Sequence, residues 1–220
     1  MVLNTAAVFQ NRKHAAYLLG ERLMEYNNTE AIVIAVSGGG IHIGSYLAQH
    51  LHLPLEVIPC KKIIHPADNH KTIGAVSTDA VVVHEEGDIP QDYIYHQIEL
   101  LRHVILGQNK NYHSGHLQAS LKNMTIILVD DLLKTGDTML ASLKTIRKQQ
   151  PKKIIVAVPN VTPEASRAIA DEIDEIIYLT IEPTIQAVGN LYEDFPPIEE
   201  REVMALLEQA WIADNVEEKV

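Results

Sequence analysis

In Ile126-Ile-Leu-Val-Asp-Asp-Leu-Leu-Lys-Thr-Gly-Asp-Thr138, a buried-type strand ends in two adjacent carboxylates, Asp130 and Asp131. A tight Thr135-Gly136-Asp137-Thr138 turn follows and a helical pattern begins at once. Where a strand's carboxyl end meets a helix N-terminus, open α/β sheets bind ligands. Backbone N–H groups in such a turn, with the helix dipole behind them, form an anion nest suited to a phosphate monoester. Gly136 permits close approach, and the Thr135 and Thr138 hydroxyls can donate to phosphate oxygens. The paired carboxylates would repel that phosphate but suit sugar hydroxyls or a hydrated Mg²⁺. The pattern therefore asks for a ligand with a phosphate at one end and a ribose diol a few Å away. It is not a Walker A loop, which needs Gly-x4-Gly-Lys-Ser/Thr, and Ser37-Gly-Gly-Gly40 lacks the Gly-x-Gly-x-x-Gly dinucleotide spacing.

Short β-branched runs alternate with amphipathic stretches around this segment. Ala31–Val36, Leu55–Cys60, Thr125–Asp130, Ile154–Pro159 and Glu175–Thr180 read as strands covered on both faces. Helical patterns follow over Ile41–Leu51 and Met139–Gln150, and Thr162-Pro163 opens another with threonine as N-cap and proline at the first helical position. The alternation predicts an α/β fold, a three-layer sandwich with a central, mostly parallel sheet. Asn11–Tyr26 reads as a leading helix and Pro90–Gln108 as a long one. A last helix over Glu199–Ala213 carries Val203, Leu206, Leu207 and Trp211 inward. Ile73–Val76 and Ala80–Val83 suggest a hairpin, and Ile64–Thr72 and Asn109–Leu121 read as long polar loops.

Val129-Asp-Asp-Leu-Leu-Lys-Thr-Gly-Asp-Thr138 resembles the phosphoribosyl pyrophosphate (PRPP) binding motif of the type I phosphoribosyltransferases. The likeness to a bacterial subgroup extends through the Arg12–Leu23 helix, the Gly-rich turn after the first strand and Ile73-Gly-Ala-Val76. It continues through Ala157-Val-Pro159 and Ala187-Val-Gly-Asn-Leu-Tyr-Glu-Asp-Phe195. The resemblance implies one phosphoribosyltransferase-like domain over residues 1–220, with a small hood and a C-terminal flap and helix appended. It implies transfer of the 5-phosphoribosyl group of PRPP to a nitrogenous, nucleobase-like acceptor, with release of pyrophosphate. Asp130 and Asp131 would be the catalytic pair holding the ribose 2- and 3-hydroxyls. Lys134, Thr135, Gly136, Asp137 and Thr138 would wrap the 5-phosphate. Ser37, Gly38 and Gly39, with Lys61 and Lys62, would take the pyrophosphate. Mg²⁺ is implied as cofactor, carried by PRPP and water near the two aspartates rather than by direct protein ligands, and a homodimer is the implied assembly.

The chain departs from that pattern in four places. Ser37 stands where the subgroup has arginine, which removes a guanidinium fork for pyrophosphate. Gln108–Leu117 lacks the expected arginines, Lys134 replaces an acidic residue of purine-salvage relatives, and Pro66–Lys71 differs from the subgroup's loop. Binding survives such changes better than rapid catalysis, so a PRPP-binding sensor or regulatory protein is the alternative function. His113 and His116 could stand in for the missing arginines, and Tyr192 and Phe195 could stack on a base. The net charge of −11, with no basic run to offset it, disfavours general nucleic-acid binding. No apolar stretch approaches the ~20 residues that span a bilayer. The single cysteine, Cys60, within an apolar run, suits buried filler in a reducing compartment, and the expected location is cytoplasmic.

Overall fold

The computed structural model describes residues 8–36, 38–84, 89–113, 119–183, 188–197 and 200–217, with no side-chain detail at 188, 190, 200 and 210–217. Five parallel strands form the main sheet: β1 (Ala31–Val36), β2 (Leu55–Ile58), β6 (Thr125–Val129), β7 (Lys153–Val161) and β8 (Glu175–Ile181), in the order β2-β1-β6-β7-β8. In β1, β6 and β7 the continuous apolar runs have a direct cause, since both faces are covered, whereas the edge strand β8, expected to be covered likewise, is only half-buried. Odd-numbered residues of β1 and β6 such as Val33, Ala35, Ile127 and Val129 pack with α1 (Arg12–Arg22), α2 (Gly39–Leu51) and α6 (Glu200–Glu217). Their even-numbered neighbours Ile32, Ile34, Ile126 and Leu128 pack with Met139, Leu143 and Ile146 of α4 (Asp137–Arg147) and Ala165 and Ile169 of α5 (Pro163–Ile169).

The strand order reverses between β1 and β6. From β1 the chain moves outward through α2 to β2, and from β6 it moves the other way through α4 to β7. The crossing helices therefore lie on opposite faces and leave a crevice where the carboxyl ends of β1 and β6 adjoin. Residues 38–40 follow β1 there, and Asp130 and Asp131 leave β6.

A second, antiparallel sheet was legible only in part. Its strands are β3 (Cys60–His65), β4 (Asp68–Ser77) and β5 (Val81–Val83). The hairpin expected between residues 73 and 83 is present, pairing Gly74 with Val83, Ala75 with Val82 and Val76 with Val81. Leu55–Cys60 is not one strand, however. Pro59, which has no N–H to give, separates β2 from β3, and the chain changes sheets there. Lys61 and Lys62 consequently sit at the start of β3 rather than at the end of a main-sheet strand. Ile64–Thr72 is likewise a two-strand ladder, not a long loop, although Pro66, Ala67, Asp68, Asn69, His70 and Lys71 do sit in or beside its turn. The polar, exposed side chains hid the pairing. The long helix α3 (Gln91–Tyr112) outlasts its expected end, shortening the second predicted loop, and buries Ile94 and Ile105 with Ile63, Ile73 and Val76 of the small sheet.

Capping follows the sequence closely. Asn11 caps α1 by accepting from the His14 N–H at 2.9 Å. The Thr162 hydroxyl accepts from the Ala165 N–H at 3.1 Å and donates to the Lys134 carbonyl at 2.7 Å, so one side chain starts α5 and pins the turn before α4. Thr162→Ala should cost about 1–2 kcal/mol of stability, read by urea denaturation. Val203 and Leu207 of α6 are buried as expected and Leu206 is half-buried, whereas the Trp211 side chain lies outside the described residues. Among the described residues no helix is long and apolar enough to cross a membrane.

Candidate functional site

Asp130 and Asp131 stand at the end of β6 because Val129 is the last residue paired in the ladder. Released from it, the backbone turns so that the Asp131 N–H donates to the Asp130 carboxylate at 2.8 Å. The Gly-rich turn presses directly on this pair. A Cβ on Gly39 would lie 1.7 Å from Asp131 Oδ2, and one on Gly40 would lie 2.8 Å from the Val129 carbonyl. Only a bare backbone fits there, so the predicted ribose and pyrophosphate elements share one crevice.

Electrostatics set the two carboxyls apart from ordinary aspartates. Burial, reinforced by the adjacent Asp131 charge, holds Asp130 well above the usual carboxylate range. Burial also raises Asp131, but the Arg12 guanidinium and the Lys62 ammonium oppose that rise. Arg12 Nε lies 3.6 Å from Asp131 Oδ2. Lys62 acts on both acids, which links the start of β3 to the crevice. Lys61, its half-buried neighbour, has Val76 of β4 as its partner.

The phosphate-type turn is built by β7. The Leu133 N–H donates to the Asn160 carbonyl and the Thr162 N–H donates to the Leu133 carbonyl, both at 3.0 Å. Lys134 and Thr135 remain exposed on this tethered arch. Gly136 takes φ +90°, a left-handed conformation open to glycine, and its carbonyl accepts from the Leu140 N–H at 2.7 Å as α4 begins. Asp137 is buried in that first turn. One of its oxygens meets His84 Nε2 at 2.6 Å and the other accepts from the Thr135 hydroxyl at 2.9 Å. The Thr135 proton expected to face a phosphate is thus given to Asp137, while the half-buried Thr138 carbonyl accepts from Ser142 at 2.8 Å.

Sequence reasoning placed this crevice but missed two residues in it. His84, on the chain just after β5, could not be assigned without knowing that the small sheet packs on α4. Arg12 did carry a signal, because a cation in the first turn of a helix opposes the dipole and needs another reason to be there. The aromatic residues Tyr192 and Phe195 face each other, centroids 4.8 Å apart, and the Tyr192 hydroxyl donates to the Asp131 carbonyl at 3.4 Å. His113 is held by Glu56 at 2.8 Å, which raises its affinity for a proton. Ser37, His116 and Ala187 lie outside the described residues. Cys60 is buried, its thiol pushed up to about 12 by desolvation, as filler would be.

A hydrated Mg²⁺ is a cation that the paired carboxyls of Asp130 and Asp131 would fit. Among the described residues no group of three or more His, Cys, Asp or Glu could cage a metal. Burial disfavours the charged form of both acids, and a hydrated divalent cation beside them would favour it.

The family model described as the phosphoribosyl transferase domain matches residues 4–193. Two curated proteins of Mycobacterium tuberculosis strains, whose phosphoribosyl transferase designations are themselves provisional, are 25% identical over 213 residues, covering 92% of the chain and 47% of each relative. The chain therefore spans about half the length of these relatives. The crystal structure of TT1426 from Thermus thermophilus is similar with a TM-score of 0.75 and 27% identity, over 91% of this chain and 98% of that one. AQ2163 from Aquifex aeolicus shares the fold with a TM-score of 0.51 and 13% identity, over 82% and 85%.

Proposed function

The chain belongs to the phosphoribosyl transferase domain family, and on that premise we propose that it transfers the 5-phosphoribosyl group of PRPP to a nitrogenous, nucleobase-like acceptor. The single observation that carries this reading is the contact between Gly39 and the Asp131 carboxylate, which joins a bare-amide turn to a diol acceptor. Asp130 and Asp131 accept the ribose 2- and 3-hydroxyls, orienting the ring. Residues 134–138 hold the 5-phosphate, with the arch fixed by Thr162 and α4 behind it. Ser37, Gly38, Gly39, Lys61 and Lys62 take the pyrophosphate.

In the reaction the bond between ribose C1 and the pyrophosphate oxygen breaks and a bond from the acceptor nitrogen to C1 forms. Pyrophosphate leaves with the electron pair, and the acceptor nitrogen gives its proton to solvent. The ribose passes through an oxocarbenium-like state, so the chain's work is to fix both ends and stabilise the departing charge. When bound, Mg²⁺ would supply Lewis-acid charge at the pyrophosphate, and Asp130 and Asp131 would be the residues that hold it through water. The reading includes a homodimer, for which the exposed Leu100 and Val104 of α3 offer apolar surface.

The test is pyrophosphate release from PRPP and Mg²⁺ across a panel of nucleobases, with a base-free control. Release that depends on one acceptor supports transfer. Tight PRPP binding without release under any acceptor would replace the transferase with a sensor, and release in the base-free control would point to hydrolysis.

A further inference from the structure

Arg12 is 7% exposed at the first position of α1, where a cation works against the helix dipole. Three groups repay that placement. Asp131 Oδ2 lies at ion-pair distance, 3.6 Å from Arg12 Nε. The Pro196 carbonyl accepts from a terminal guanidinium nitrogen at 2.8 Å, and the Phe195 ring centroid lies 3.6 Å beneath the guanidinium carbon. The approach is backed by main chain. The Phe9 and Gln10 carbonyls accept from the Glu193 and Asp194 N–H groups, both at 2.9 Å, stitching the residues before α1 to the segment that carries Phe195.

Resting on the proposed sugar-phosphate site, we infer that Arg12 is a positioning residue: it fixes the Asp131 carboxylate for the ribose diol and locks residues 192–196 beside it. The acid pair needs such an ion. Two adjacent carboxylates are desolvated here, and the cations that act on Asp131 are Arg12 and Lys62. Lys62 is exposed and assigned to the pyrophosphate, whereas Arg12 is buried and permanently charged. Arg12 Nε is buried without a hydrogen bond and has Asp131 Oδ2 at 3.6 Å, so a small shift of the acid toward it would complete the pair. Arg12 touches the acid rather than the reacting atoms.

A double-mutant cycle on the full chain separates positioning from general support. Ribose 5-phosphate affinity is measured calorimetrically for the parent, Arg12→Met, Asp131→Asn and the double variant, with thermal unfolding and binding of inorganic phosphate as controls. Arg12→Met should weaken ribose 5-phosphate tenfold or more in the parent background and less than threefold in Asp131→Asn, while inorganic phosphate binds unchanged. Arg12→Lys, which keeps the charge and loses the fork, should recover part of the affinity. Should Arg12→Met fail to fold, the same cycle with Arg12→Lys decides. Equal losses in both backgrounds, no loss at all, or no recovery with lysine would overturn the role of Arg12. A parent that does not bind ribose 5-phosphate would overturn the site itself, and the role with it.

Discussion

Asp130→Asn/Asp131→Asn should lose ribose 5-phosphate and PRPP affinity by two orders of magnitude or more. Each carboxylate is asked to accept a sugar hydroxyl through a charge-assisted hydrogen bond, worth about 1.5–3 kcal/mol where the group is desolvated. Two such bonds convert to roughly 100-fold or greater, at about 1.4 kcal/mol per tenfold. Stability should move the opposite way. Asp130 is held well above its ordinary value by burial, so the native state binds its proton more tightly than the unfolded chain does. Its stabilising contribution is complete below the ordinary carboxylate range and fades as pH rises through the raised native value. At neutral pH, above the ordinary carboxylate range, the burial of this carboxyl therefore costs the fold stability. Asp130→Asn alone should raise Tm by about 2–4 °C at pH 7.5, and the gain over the parent should shrink at pH 4.5. A variant that loses affinity and also loses stability would indicate that the carboxylate supports the fold.

Gly39→Ala should cripple binding while leaving the chain folded. The added methyl would fall 1.7 Å from Asp131 Oδ2 and 2.0 Å from its Cγ, so the carboxylate must leave its seat. Overpacking of this kind costs about 1–3 kcal/mol, but the moving group is the end of a side chain rather than backbone. The expected signature is a loss of ribose 5-phosphate affinity of about tenfold or more with a smaller change in unfolding midpoint. Gly38→Ala makes a useful contrast, since a methyl there meets nothing within 4 Å and its cost comes from the φ of +89° alone. If Gly39→Ala and Gly38→Ala behaved alike in binding, the crevice between the glycine turn and the acid pair would not be the ligand's seat.

How far the sequence carried this picture depends on how local the determining interactions are. The main-sheet strands announced themselves through unbroken apolar runs, and the start of α5 through Thr162, because apolar runs and N-capping are written in neighbouring residues. Asp130, Asp131 and the turn to Thr138 were legible for the same reason. Of the small sheet only the hairpin of residues 73–83 was legible, since Pro59 redirects the chain and the polar residues of the β3–β4 hairpin carry no buried face to alternate. Arg12 and His84 depend on contacts with partners over 50 residues away, Asp131 and Asp137 respectively, which no local pattern encodes. Thr135 shows the finer limit: its position was foreseen, but its hydroxyl serves Asp137.

A crystal grown or soaked with ribose 5-phosphate tests the central claim most directly. The sugar hydroxyls should lie within hydrogen-bond reach of the Asp130 and Asp131 carboxylates, with the phosphate enclosed by the backbone amides of residues 134–138. Density for the sugar phosphate at another place on the molecule, or an unaltered crevice at saturating ligand, would contradict it.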